Sequence, residues 1–166
     1  MSWFVLSRAV VYSVLFIGLL LIFLPGQVLA WSGLARPAGF GPFQLAGVVV
    51  GSAGAVLALW CIGTFALIGK GTPAPFDPPR RLVVRGPYRF VRNPMYLGAG
   101  LALGGAALFY RSLPLLGYLA LFLLITHLFV ISYEEPTLLR SFGGDYQAYR
   151  SRVRRWIPRS WREERT

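Results

Sequence analysis

The sequence predicts an all-α integral membrane protein: a helical bundle of four transmembrane helices with a C-terminal interfacial helix. Three observations predict this. Hydrophobic residues make up 55% of the 166 residues, and a mean hydropathy of +0.57 is too apolar for an ordinary water-soluble domain. Four stretches, 9–24, 44–68, 93–110 and 113–133, carry no charged residue, and a spanning helix needs about 20 apolar residues, fewer where the bilayer thins. The basic residues fall at the ends of these stretches and on alternate connections. The expected spans are therefore about 9–24, 44–68, 94–110 and 114–133, in one domain covering 1–166.

Each element follows from its own residues. The first run, AVVYSVLFIGLLLIFL, follows Arg8 and precedes VLA at 28–30. That pattern fits a signal peptide cleaved after Ala30, and a first span explains it equally well. The second span carries Gly47, Gly51 and Ala55, and the third carries Gly98, Gly100, Gly104 and Gly105. Small residues at such spacing let helix backbones approach closely, which drives association in lipid. The lone Cys61 lies within the second span, so no disulfide framework exists and the thiol reads as a small buried hydrophobe. The third and fourth spans are joined by YRSLP (110–114), with Ser112 as a cap and Pro114 near the first turn of the next helix. So short a link forces an antiparallel hairpin. It returns the chain to the level where the third span began, placing Asn93 near Glu134 and Glu135.

Charge orients the bundle. Six basic residues and one acid lie between Lys70 and Arg92, and eight arginines follow Tyr133. The other two connections hold only Arg36 and Arg111. Positive residues mark the cytoplasmic side, so the loop at 70–92, the tail at 134–166 and the N-terminus are expected there. The net charge of +11 hugs the ends of the spans. Anionic headgroups account for it, and no nucleic-acid partner is expected.

A polar knot, RGPYRFVRNPMYLG (85–98), separates two of the apolar runs. Asn93 suits an N-cap and Pro94 the first helical position. A helix N-terminus offers free N–H groups and partial positive charge, and Arg85, Arg89 and Arg92 crowd the same end. Prolines at 73, 75, 78, 79 and 87 stiffen the approach. A rigid, cationic, aromatic-edged pocket of this kind suits a ligand bearing a carboxylate or phosphate.

The second polar segment is YEEPTLLRSFGGDYQAYRSRVRRWIPR (133–159). Glu134 and Glu135 are expected at the C-terminal end of the fourth helix, where they oppose its dipole and need partners. Leu138, Phe142, Tyr146, Tyr149, Val153 and Trp156 recur at helical steps between arginines. They predict an amphipathic interfacial helix, broken near Gly143–Gly144, that lies over the mouth of the hairpin. His127 lies two turns deeper than Glu134 on about the same face. A histidine in a membrane helix is costly, and it reads either as a packing residue or as a functional one.

GPYRFVRNPMYLG (86–98) and EEPTLLRSFGGDYQAYRSRVRRWIP (134–158) together resemble the membrane methyltransferases that comprise isoprenylcysteine carboxyl methyltransferases and phospholipid N-methyltransferases. The resemblance covers roughly residues 65–158. It implies methyl transfer from S-adenosylmethionine to a lipid or lipid-like acceptor. It also implies cofactor binding by Tyr88, Arg89, Arg92, Asn93, Tyr96, Gly98, Gly100, Glu134, Glu135, Tyr146, Tyr149 and Arg155. Where this chain has Asn93 the family often has histidine. Asparagine can hydrogen-bond but cannot act as a base.

The residue chemistry agrees. S-adenosylmethionine carries a carboxylate, an ammonium, a ribose diol, an adenine and a sulfonium; arginines and helix N–H groups suit the first, carboxylates the second and third, aromatic faces the last two. Candidate catalytic residues are Arg92, His127 and Glu135, and no metal is expected. A carboxylate acceptor needs a cationic clamp and no base, whereas an amine must first lose a proton, for which Glu135 or His127 is available. Two other classes compete: a small transporter, which calls for intramembrane charges lining a path where these spans hold none apart from His127, and a noncatalytic membrane scaffold, which the Asn93 departure allows.

Overall fold

In the computed structural model, residues 11, 14–15, 17–33, 37, 39–65 and 81–158 are described. The prolines at 73, 75, 78 and 79 and the start of the first expected span lie outside them. The described residues form four helical stretches: α1 (Gly18–Trp31), α2 (Pro42–Thr64), α3 (Pro94–Tyr110) and a continuous run, Leu113–Arg152. That run divides into α4 (Leu113–Phe129), a wide π turn (Val130–Glu134) and α5 (Glu135–Arg152). A 3-10 turn, Gly86–Arg89, leads into α3.

The helices pack as the glycines dictate. α2 and α3 run antiparallel with backbones almost in contact. A Cβ on Gly47 would lie 2.6 Å from the Gly105 carbonyl oxygen, and one on Gly54 would lie 2.5 Å from the Gly98 carbonyl oxygen. Gly54, rather than the expected Ala55, completes the α2 stripe; Ala55 is exposed. The steps 47, 51, 54 on α2 and 98, 102, 105 on α3 each keep one helix face turned to the other. Gln44 closes the far end of this pair. Its Oε1 accepts from the Gly41 N–H at 3.0 Å and its Nε2 donates to the Phe109 carbonyl at 3.1 Å.

At the α3–α4 link, Ser112 Oγ accepts from the Leu115 N–H at 3.2 Å, capping α4 as its sequence suggests. α1 lies against α4, where the Tyr118 hydroxyl donates to the Leu20 carbonyl at 2.9 Å. α1 continues past Leu24 through Pro25 to Trp31, beyond the uncharged run that predicted it.

The outer faces of these helices are apolar: Val49, Val56, Leu59, Leu121, Leu124 and Ile125 are all exposed. Only 17% of the most apolar stretch of α2 is buried inside the chain. A soluble protein hides such faces, and exposed apolar surface on this scale belongs against lipid. α2 and the run from Leu113 are each long and apolar enough to cross a membrane, and the protein is a membrane protein.

The end of α4 differs from expectation. The helix does not stop before Glu134 but widens into the π turn and runs on. Pro136 cannot donate to the carbonyl four residues back, and a π turn is a way for a helix to carry that loss. The two carboxylates therefore sit inside a continuous helix, Glu134 closing the π turn and Glu135 opening α5.

α5 breaks its helical geometry at Gly143 (φ 51°, ψ −121°), where the paired glycines foretell a break. It then ends at Arg152, four residues before the expected Trp156. Val153 is extended (φ −115°, ψ 127°), and Arg154 pairs with Val91 in an isolated parallel bridge. The Arg92 N–H donates to the Arg154 carbonyl at 2.9 Å. Residues 153–158 are thus a strap laid back across the start of α3, not a last turn of helix.

Candidate active site

Three segments converge at one end of the hairpin: the knot before α3, the π turn with the start of α5, and the strap. Glu135 is at their centre, 7% exposed. Arg155 grips it with two hydrogen bonds, Nε to Oε1 at 2.7 Å and Nη2 to Oε2 at 2.9 Å. Arg92 Nη1 reaches the same Oε1 at 3.0 Å and also donates to the Tyr146 hydroxyl at 3.2 Å. Burial alone would raise the Glu135 pKa, but the Arg155 hydrogen bonds and the charges of Arg92, Arg155 and Arg150 hold it below its ordinary value. Glu135 is a fixed anion between two fixed cations.

Its neighbour is in a different setting. Glu134 Oε2 accepts from the Tyr96 hydroxyl at 3.1 Å, and Oε1 has no hydrogen-bond partner among the described residues. Burial pushes the Glu134 pKa up to about 6; the Tyr96 hydrogen bond opposes the shift and the Glu135 charge adds to it. One carboxylate is clamped by arginines; the next has its protonated form favoured by burial.

Aromatic residues wall the cluster. The Tyr149 hydroxyl donates to the Tyr88 carbonyl at 2.6 Å, tying α5 to the turn before α3. Tyr88 is buried, its ring edge-on to Phe65 at 5.2 Å. Trp156, on the strap, donates its indole N–H to His127 Nδ1 at 3.0 Å, and its ring lies 6.4 Å from that of Tyr96. His127 therefore presents Nδ1 as an acceptor here, which leaves any proton of the neutral ring on Nε2.

The structure thus brings together Tyr88, Arg92, Asn93, Tyr96, His127, Glu134, Glu135, Tyr146, Tyr149 and Arg155. Other expectations change. Asn93 occupies the N-cap position of α3 but makes no side-chain cap; its Nδ2 donates to the Arg155 carbonyl at 3.4 Å, so it anchors the strap. Arg89 is exposed and stacks over Phe90 at 4.9 Å. The space beside Gly98 and Gly100 is filled by neighbouring helices. A Cβ on Gly98 would meet the Gly54 carbonyl oxygen at 2.9 Å, and one on Gly100 would meet Leu123 Cδ2 at 3.2 Å. Trp156 was legible in the sequence only as part of an apolar row. Its bond to His127 links residues 29 apart, and no local pattern signals it.

A helical hairpin whose end gathers paired carboxylates, arginines and tyrosines defines a class of helical membrane protein with a partly buried polar site. The phospholipid methyltransferase family matches residues 43–145, and the chain belongs to that family. It is also similar to methanethiol S-methyltransferase 1 of Bradyrhizobium diazoefficiens, at 36% identity over 100 residues. That match covers 58% of this chain and 30% of the relative, so the chain spans less than a third of that protein's length. No solved structure matches it. Membership implies a methyl donor.

Proposed function

We propose that the protein is an S-adenosylmethionine-dependent methyltransferase that transfers a methyl group to a lipophilic acceptor at the cytoplasmic face of the membrane. The observation that carries the reading is the convergence of the α3 N-terminus, the Glu134–Glu135 pair and the strap on one polar cluster. The donor set fits the cofactor. Arg92 Nε is a buried donor with no partner among the described residues, and an anionic oxygen is what such a donor lacks. Arg92, Arg155 and the free N–H groups of α3 would hold the carboxylate. Glu135 and Asn93 would serve the polar ammonium and ribose groups, and Tyr88, Tyr96, Tyr146 and Tyr149 the flat and cationic parts. When bound, the cofactor supplies an electrophilic methyl on a sulfonium. The chain's own residues bind and orient it, and the strap keeps water away.

Four spans with both termini in the cytoplasm accord with the arginine asymmetry. The apolar outer faces beside the site favour an acceptor that enters sideways from the bilayer, such as an isoprenylcysteine-like or phospholipid-like molecule. A second reading of the acceptor, a small thiol, is favoured by the name of the Bradyrhizobium relative. Calorimetry with S-adenosylmethionine tests the site. Arg92→Ala and Glu135→Ala should each weaken binding about 10-fold or more, the effect of ~1.4 kcal/mol, measured where circular dichroism shows each variant still folded. Parent-like affinity in both variants would refute the placement.

A further inference from the structure

We infer that His127 is a positioning residue of the site. Its Nδ1 is the catch that holds Trp156, and with it the far end of the strap, where α3 begins and α4 ends. The inference rests on the methyltransferase reading and deepens it, because it names what keeps a bound cofactor from leaving.

His127 lies in the last turn of α4. Two other polar side chains of that helix are satisfied within the bundle. Tyr118 donates to the Leu20 carbonyl on α1, and Thr126 donates to the Phe122 and Leu123 carbonyls of its own helix. The His127 ring instead accepts from the strap, taking the Trp156 indole N–H on Nδ1 at 3.0 Å. A polar ring near the end of a membrane helix is costly unless it is hydrogen-bonded, and here its partner is the strap.

The strap's other ties stop one residue earlier. The Arg92 N–H donates to the Arg154 carbonyl and Asn93 Nδ2 to the Arg155 carbonyl, while the Arg155 guanidinium holds Glu135. Beyond Trp156, Ile157 is 68% exposed. Trp156 is thus the last fastened residue of the strap among the described residues. Its ring lies 6.4 Å from that of Tyr96 on α3 and 6.0 Å from that of His127 on α4. It therefore walls the polar cluster across both helices, and without the catch only ring packing holds it there.

The chemistry of the catch is one-sided. Indole can donate and cannot accept, so the bond needs a lone pair on the α4 side chain. Asparagine carries its amide oxygen on the same branch position as Nδ1 and can accept in its place. Leucine fills similar space and cannot. One such bond should change the open fraction of the strap about 5-fold, the factor of ~1 kcal/mol.

The test uses the full chain in nanodiscs. Trypsin cleavage after Arg155, followed without ligand, reports opening of the strap. Release of labelled S-adenosylmethionine into an excess of unlabelled cofactor reports its consequence. His127→Leu and Trp156→Phe should each speed both about 5-fold, the double variant should be no faster than either single one, and His127→Asn should restore both to within about 2-fold of the parent. With native lipid extract as acceptor, His127→Leu should raise KM for S-adenosylmethionine by a similar factor and leave kcat within about 2-fold. Parent-like cleavage and release in His127→Leu, no rescue by His127→Asn, or additive effects in the double variant would overturn the inference. So would a fall in kcat of about 100-fold in His127→Asn, the scale of a general acid or base, which would make His127 a catalytic residue. A parent that binds no S-adenosylmethionine would overturn the methyltransferase reading, and the ligand-free cleavage rates would still decide whether His127 holds the strap.

Discussion

Removing the Glu135 carboxylate should destabilise the fold more than removing the Arg155 guanidinium that grips it. The reason lies in what each deletion leaves behind. Glu135→Ala strands Arg92, whose side chain is 9% exposed and whose Nε has no partner among the described residues. Breaking a buried pair so that one charge is uncompensated costs about 3–5 kcal/mol. Arg155→Ala removes two charge-assisted hydrogen bonds, but Arg155 is 27% exposed and Glu135 keeps Arg92. The cost there should be about 1.5–3 kcal/mol, the scale of hydrogen bonds to charged groups. Because the two residues share one interaction, the double variant should fall short of the sum by about 0.5–3 kcal/mol. Reversible unfolding in mixed micelles, followed by circular dichroism, measures all three. If Arg155→Ala costs as much as Glu135→Ala, or if the costs simply add, the picture of a clamped central anion is wrong.

Other outcomes follow from the same geometry. Gly54→Ala should separate α2 from α3 and lower stability sharply. Gly51→Ala should be tolerated, since its added Cβ meets nothing closer than 3.8 Å; thermal melts of the pair check this. Between pH about 4.5 and about 6 the folded state binds more protons at Glu134 than the unfolded state does. Its contribution is therefore full below that window and is lost as pH rises through it, by up to about 2 kcal/mol; Glu134→Gln should flatten this slope in ligand-free melts. Trp156→Phe should cost about 1 kcal/mol, the usual value of one hydrogen bond, and should speed proteolysis of the strap.

Much of this architecture is written locally. Uncharged runs mark the helices, Pro94 and Ser112 mark two of their starts, and the five-residue YRSLP link compels the hairpin that brings Arg92 to Glu135. The glycine pair at 143–144 announces the break in α5. What local pattern could not supply was decided by contacts distant in sequence. Val153 and Trp156 continue a helical spacing, yet the backbone bond from Arg92 to Arg154 takes the chain out of the helix. Asn93 has the chemistry of a cap, but the Arg155 carbonyl claims its amide. The rotation that faces Gly54 rather than Ala55 toward α3 depends on how two helices settle against each other. The π turn falls where adjacent glutamates part company: Glu135 is held by Arg155 and Arg92, while Glu134 bonds Tyr96.

The account rests on methyl transfer from S-adenosylmethionine into a lipophilic acceptor. The most direct measurement incubates the purified protein, in nanodiscs of native lipid extract, with S-adenosylmethionine labelled on its methyl group, then counts label in the organic, protein and aqueous fractions. Label should accumulate in the organic-extractable fraction with the parent and fall to background with Arg92→Ala. Absence of label from every acceptor fraction, with the protein folded and the cofactor intact, would contradict the account.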